Sequence, residues 1–105
     1  MTSQRFVYIA PEGRLDAGTV LPLQAELQEH LANGDTRLLI DFEKTRYVSS
    51  HVLRILLAAH KQASQQGGAL WLCGLDNRLN DIFEMAGFTT IFEIFASRED
   101  AEKSF

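Results

Sequence analysis

The sequence predicts an α/β domain with one main sheet and helices packed on it. Short segments rich in β-branched and aromatic residues alternate with longer segments whose apolar residues recur at helical spacing. The connections are short, and no repeat or low-complexity tract interrupts the 105 residues. With 46% hydrophobic and 23% charged residues, a chain of this length can bury one core. We therefore expect a single domain over residues 1–105, with a mixed central sheet of about four to five strands and about four helices.

The first two strands are expected close to the N-terminus. Residues 6–9 are β-branched and aromatic, and after Pro11 and Gly13 a short extended segment follows at residues 14–16. Two short strands separated by a turn of this kind are typical of a hairpin at the start of a sheet.

The first helix is predicted from its ends and its apolar face. Thr19 is placed to cap it, Pro22 lies in the first turn, and Asn33 with Gly34 ends it. The residues expected to face the core recur at i, i+3, i+7 and i+11: Val20, Leu23, Leu27 and Leu31.

The middle of the chain contains a central strand and the longest helical pattern. Residues 38–42 form a nearly continuous apolar run, which indicates a strand covered on both faces. After a short polar link, Ser49 and Ser50 stand directly before the helix. Gly67 and Gly68 end this helix, and residues 69–73 form the next strand. The apolar residues of this helix recur at helical spacing: Val52, Ile55, Leu56, Ala59 and Ala63.

The last third of the chain predicts a helix, a strand and a terminal helix. Asp76 or Asn77 can cap the first of these helices. Residues 91–95 indicate a last strand, and Ser97 with Asp100 resembles a capping box for a helix through Ala101 and Phe105. The expected apolar face of the earlier helix comprises Leu79, Ile82, Phe83 and Ala86.

Composition and charge exclude several functional classes. A net charge of −4 and a pI near 5.2, with Arg and Lys scattered, disfavour binding to nucleic acid or to an anionic membrane. No apolar run approaches the ~20 residues that span a bilayer, so we expect no membrane insertion and a cytoplasmic location. The single cysteine, Cys73, allows no internal disulfide and lies in an apolar strand pattern, which predicts a buried side chain.

The sequence offers no recognisable catalytic or cofactor motif. His30, His51 and His60 lack metal-ligand spacing, and His30 with His60 is expected on solvated helix surfaces. No nucleophile elbow surrounds the serines, and adjacent residues such as Ser50 and His51 point in different directions at a helix start. No glycine-rich phosphate loop is present. We expect no enzyme activity, no cofactor and no metal.

The serine pair lies where a helix begins. The first turn of a helix has free backbone N–H groups and a positive partial charge, so a serine there serves as a cap, and an added phosphate is tolerated electrostatically. Both a capping role and a modification site are therefore compatible with Ser49 and Ser50.

The order of several short motifs resembles the STAS-domain family, of the anti-sigma-factor antagonist type. The similar segments cover nearly the whole chain: residues 13–16, residues 38–42, Ser49 with Ser50, residues 68–72, and Gly87 with Phe88. The resemblance implies a STAS fold and a regulatory binding protein. In that family the first serine is phosphorylated by a kinase that is also an anti-sigma factor, and phosphorylation switches partner binding. A PP2C-type phosphatase is a further partner that it implies.

Carried over by position, the resemblance makes Ser49 the phosphorylated residue. It implies a partner-binding surface that comprises Asp16, Ser49, Ser50, His51 and Arg54. Asp16 has a second interpretation, because an Asp at this point of the chain also suits an Asx turn. Arg54 and Lys61 lie on the polar side of the serine helix, where they can meet an acidic partner surface or only solvent.

Two residues depart from the family pattern. The family commonly has Asp before the serine pair and Gly after it, where this chain has Val48 and His51. These departures favour a second hypothesis, a STAS-like accessory subunit of a transporter or signalling complex that needs no phosphorylation. A third hypothesis is a small-ligand enzyme or carrier that uses the cleft beside Asp16.

Overall fold

A four-stranded parallel sheet lies at the centre of the computed structural model, which describes residues 6–104, and a separate pair of parallel strands accompanies it. The α/β class and the number of helices predicted from the sequence are confirmed. The strands are β1 (Val7–Ile9), β2 (Gly13–Leu15), β3 (Arg37–Asp41), β4 (Thr45–Val48), β5 (Ala69–Cys73) and β6 (Ile94–Phe95). The helices are α1 (Leu21–Ala32), α2 (Ser50–Gln65), α3 (Asn77–Met85) and α4 (Arg98–Ser104).

The strand pairing corrects the expected hairpin. The main sheet has the order β1-β3-β5-β6, so β1 pairs with β3 and not with β2. β2 pairs instead with β4. The sequence analysis took β4 for a polar link, because Arg46 is exposed and only Thr45 and Val48 of this strand are buried. The pairing begins where the Gly13 N–H donates to the Lys44 carbonyl at 2.8 Å. The described pairings are all parallel, so the expectation of a mixed sheet was wrong.

Helices α1, α2 and α3 cover one face of the main sheet, and α4 covers part of the other. Alternate strand residues divide between the two sides, as the period of a strand requires: Leu38 and Ile40 face the larger core, whereas Leu39 packs with Cys73 and Ala101 under α4. The predicted helix faces are largely confirmed, because these side chains are buried: Val20, Leu23, Leu27, Leu31, Val52, Leu56, Ala59, Ala63, Leu79 and Phe83.

Several predicted boundaries were wrong. Helix α1 starts after Val20, which makes no side-chain cap, and not after Thr19. Ala86 follows the last turn of α3 and is exposed. The expected last strand is shortened to β6 because Phe92 folds into the core against Phe88, with 5.4 Å between ring centroids, at the end of a 3₁₀ turn.

The start of α4 is as predicted, whereas its end is only partly described. The Ser97 hydroxyl accepts a hydrogen bond from the Asp100 N–H at 3.2 Å, and Ala101 is buried. The predicted contribution of Phe105 lies outside the described residues. None of the described helices combines the length and the apolar character that crossing a bilayer requires.

His60 is not the solvated residue that the sequence suggested. Its ring packs against Phe92, with 4.9 Å between centroids, and its Nδ1 atom is buried with no hydrogen-bond partner among the described residues. Burial lowers the pKa of His60. His30, by contrast, lies at the end of α1, where Nδ1 is 3.1 Å from Asp35 Oδ2. Cys73 is fully buried as predicted, and burial raises the pKa of its thiol to about 12.

Candidate functional site

The ends of β2 and β4 bring Asp16 and Ser49 to the same edge of the molecule. In the parallel register, Leu15 pairs with Val48, and the Ser49 N–H donates to the Leu15 carbonyl at 3.0 Å. Asp16 and Ser49 are therefore the first residues after two paired strands. The resemblance had implied this proximity, but the pairing that produces it was not predicted.

Ser49 caps α2, as its position predicted. Its backbone is extended, with φ −91° and ψ 168°, and its Oγ accepts a hydrogen bond from the Val52 N–H. The donor–acceptor distance of 3.4 Å is long, because the usual N–H···O distance is about 2.9–3.0 Å. The hydroxyl is thus held weakly, and the residue is only partly buried. Ser50 follows as the first, exposed residue of the helix.

Asp16 forms the Asx turn that was one of its two interpretations. Its Oδ1 accepts hydrogen bonds from the backbone N–H groups of Gly18, at 2.9 Å, and Thr19, at 3.1 Å. Thr19, expected as a helix cap, instead donates its hydroxyl to the Arg14 carbonyl at 2.7 Å. The pKa of Asp16 is lowered, chiefly by the Gly18 N–H and further by Arg14 and Thr19. A negative charge therefore stands at this edge at neutral pH.

Arg14 and Tyr47 belong to the site, although the sequence reasoning missed them. The Arg14 guanidinium carbon lies 4.3 Å from the centroid of the Tyr47 ring, and its Nε donates to Asp16 Oδ2 at 3.1 Å. Alternation along a strand places Arg14 with Asp16 on one face, and Tyr47 with Ser49 likewise. That alternation was the available signal, but it was useful only once β2 and β4 were known to pair.

His51 and Arg54 lie on the exposed side of α2 and line a cleft between this helix and α1. The cleft has a volume of about 210 Å³, and Leu27 and Leu31 contribute to it from α1. Lys61, the other cation singled out on this helix, is exposed and is not among the lining residues. The structure thus separates two side chains that the sequence grouped together.

The site gathers a few polar groups at one edge of the molecule. The described residues contain no group of three His, Cys, Asp or Glu side chains that could hold a metal ion. In the carboxylate nearest Ser49 in register, that of Asp16, Oδ1 accepts the hydrogen bonds of its own turn and Oδ2 accepts from Arg14. What the site presents is an exposed edge with one carboxylate, one guanidinium, a lightly held hydroxyl and the start of a helix.

A family model described as the STAS domain matches residues 2–101. Since this covers nearly the whole chain, the protein belongs to the STAS-domain family. The α/β architecture with its additional two-stranded sheet is consistent with that assignment.

Individual relatives carry related names. The chain is 35% identical over 94 residues to BtrV of Bordetella bronchiseptica, provisionally named an anti-sigma factor antagonist, and the match covers 90% of this chain and 81% of that protein. Its fold is similar to that of SpoIIAA, an anti-sigma factor antagonist, in the unphosphorylated form, with a TM-score of 0.83 at 20% identity over 99% of this chain and 90% of that one. SpoIIAA has also been solved in a phosphorylated form, where the TM-score is 0.76.

The same fold occurs in a transporter. The STAS domain of a SulP transporter from Vibrio cholerae matches with a TM-score of 0.73 at 12% identity, over 96% of this chain and 80% of that one. The fold is therefore shared by members of the family with different roles.

Proposed function

We propose that this protein is an anti-sigma factor antagonist that binds a kinase-type anti-sigma factor in the cytoplasm and is switched by phosphorylation of Ser49. A PP2C-type phosphatase would reverse the switch, and the protein itself would catalyse no reaction. The observation that carries the proposal is the position of Ser49, whose weakly held hydroxyl stands at a helix start and in register with Asp16. The provisional name of the 35% identical BtrV supports the general role.

The electrostatics of this edge explain how a phosphate would act. A phosphoserine adds about −1.5 to −2 charge at neutral pH. The free backbone N–H groups in the first turn of α2 can donate hydrogen bonds to the phosphate, as they do to anions at other helix starts. The ionised Asp16 carboxylate would then lie near a second anion, and the phosphate would compete with Asp16 for the Arg14 guanidinium. Since the charges of Arg14 and Asp16 cancel, the phosphate would make this docking surface net negative at the place where a partner binds.

The two departures from the family pattern leave this proposal intact. The Val48 side chain is 2% exposed, so it faces the core and contributes nothing to the outer surface. His51 is exposed on the first turn of α2, and its φ angle is not positive, so this position does not require glycine. The replacement of Gly by His therefore adds a contact to the surface and does not distort the acceptor loop.

A non-phosphorylated accessory subunit is the second candidate. The fold similarity to the SulP transporter domain favours it. In that role the same edge would be a permanent binding surface. The third hypothesis, a ligand site at Asp16, gains no support from the site, because Oδ1 of that carboxylate accepts the hydrogen bonds of the Asx turn and Oδ2 accepts from Arg14.

The test combines a mass measurement with a titration. Intact protein from its native host should carry a fraction with one added phosphate, and the modified peptide should contain Ser49. The kinase-type anti-sigma factor of that host should bind wild type and Ser49→Ala alike, and Ser49→Asp about tenfold or more weakly, the scale of one charge-assisted contact.

Ser50→Ala is the matched control, because it removes the neighbouring hydroxyl and leaves the cap in place. It should still accept phosphate from the kinase. Equal affinities for all variants, with no phosphate at Ser49, would leave only the accessory subunit. Phosphate on Ser50 would keep the mechanism and move the acceptor by one residue.

A further inference from the structure

The cleft between α1 and α2 exists because α2 presents small side chains to α1. Ala58 and Ala59 line it, whereas Leu27 and Leu31 of α1 are buried beneath it. Packed helices normally lie about 8–10 Å apart and fill the space between them with side chains. Two consecutive alanines leave that space open, and it reaches the surface as a volume of about 210 Å³.

The size of the cleft suits side chains of a protein partner. Sites for small organic ligands usually enclose about 300–1,000 Å³, and this one is smaller at about 210 Å³. Along α2 the lining residues His51, Ile55, Ala58 and Gln62 recur at i, i+4, i+7 and i+11. They form a stripe about 16 Å long at 1.5 Å per residue, which is the length of three helical turns. A helix laid along this stripe could insert one or two apolar side chains.

The rim of the cleft selects the charge of that helix. Arg54 is the charged side chain of the lining, and Gln24, Gln28 and Gln62 add amide donors. Among the described residues that line the cleft there is no Asp or Glu, although the chain as a whole carries a net charge of −4. A rim that carries Arg54 and no acidic side chain, around an apolar floor, is complementary to carboxylates on an apolar helix.

We infer that this cleft docks an acidic amphipathic helix of the partner that Ser49 regulates. The inference rests on the proposed function, which it deepens by assigning a chemistry to the partner. It also specifies the contact that phosphorylation of Ser49 would disrupt. Ser49 caps the end of α2 at which His51 enters the cleft, so a phosphate there would repel an acidic helix that approaches the same end.

A designed helical peptide is the probe. It carries leucines at i, i+3, i+4 and i+7 and glutamates on its remaining faces, and its control replaces every glutamate by lysine. Titration at low ionic strength, followed by backbone amide shifts, should give saturable binding of the acidic peptide with shifts centred on Ala58 and Gln62. The lysine peptide should bind about tenfold more weakly, and added salt should weaken the acidic peptide.

Two variants with matched controls test the location. Arg54→Glu and Lys61→Glu make the same charge change on exposed positions of one helix, but only Arg54 lines the cleft. Ala58→Gln and Ala25→Gln add the same bulk to exposed helical alanines, but only Ala58 lines it. We expect affinity to fall about tenfold for Arg54→Glu and Ala58→Gln, and less than about threefold for the controls.

Several results would overturn the docking. These are no saturable binding of the acidic peptide, equal binding of the lysine peptide, shifts outside the cleft, or equal losses in the controls. Self-association lost in Ala58→Gln would assign the cleft to a second copy of the chain instead. If Ser49→Asp releases the kinase-type partner while Arg54→Glu and Ala58→Gln bind it normally, the proposed function stands and the docking fails. If the acidic peptide binds as expected but Ser49 carries no phosphate, the docking in the cleft stands and the proposed switch at Ser49 fails.

Discussion

Replacing Gly68 by alanine should destabilise the fold more than the same replacement at its neighbour Gly67. A Cβ atom at position 68 would collide with the carbonyl oxygen and the Cβ atom of Thr36. Contacts under 3.0 Å force a shift, and here the obstacle is backbone. The same Thr36 carbonyl accepts the Ala69 N–H at 2.8 Å, where β5 begins to pair with β3. The new methyl group therefore disrupts the start of the central strand pair.

The expected magnitude follows from these contacts. Overpacking commonly costs about 1–3 kcal/mol, and the loss of a backbone hydrogen bond between the half-buried Thr36 and Ala69 adds about 0.5–1.5 kcal/mol. We therefore expect Gly68→Ala to lower the free energy of unfolding by about 1.5–4.5 kcal/mol. A domain of this size has only about 5–15 kcal/mol in total, so the variant should lose a large fraction of its stability.

Gly67→Ala is the matched control. At position 67 a Cβ would meet nothing within 4 Å, but the φ angle of +86° is one that an alanine adopts with strain. That strain is worth about 1–2 kcal/mol. The two substitutions thus add the same methyl group but destabilise for different reasons: Gly67→Ala strains the backbone, whereas Gly68→Ala makes a steric clash.

Urea unfolding provides the measurement. Trp71 is the single tryptophan and lies in β5, with its ring 5.1 Å from that of Phe95, so its fluorescence reports the strand directly. Wild type, Gly67→Ala and Gly68→Ala should unfold in that order of decreasing stability. A Gly68→Ala variant as stable as Gly67→Ala would show that the Thr36 carbonyl can move at little cost, and the close approach would not explain the glycine.

Three further outcomes follow from the core. Because burial lowers the pKa of His60 from 6.5, the unfolded chain binds the proton more readily; stability should be full above pH 6.5 and fall below it. His60→Leu should remove that part of the pH dependence in urea titrations, and an unchanged profile would contradict the burial argument. Leu27→Ala, at a residue 1% exposed, should cost about 2–5 kcal/mol, whereas a negligible loss would place Leu27 at the surface. Cys73 should resist a thiol reagent in the native state at neutral pH and react only on unfolding, since burial raises its pKa to about 12.

Local chemistry was enough to place the elements that face the core. The helical spacing of Val20, Leu23, Leu27 and Leu31 predicts their burial because a helix can cover only one stripe of its surface. Ser49 could be assigned to a helix start because a cap depends on residues within one turn. Cys73 was placed in the core by the apolar strand around it. These features are determined by neighbours along the chain.

Tertiary structure decided what the sequence left open, because those features depend on residues that are distant along the chain. A strand of three residues such as Gly13–Leu15 contains too little pattern to specify its partner, and its pairing with Thr45–Val48 alone brings Arg14 beside Tyr47 and Asp16 into register with Ser49. The open cleft at Ala58 likewise exists only where α1 lies opposite it. Pairing and packing of this kind are set by the total burial of the chain, which no local window of sequence contains.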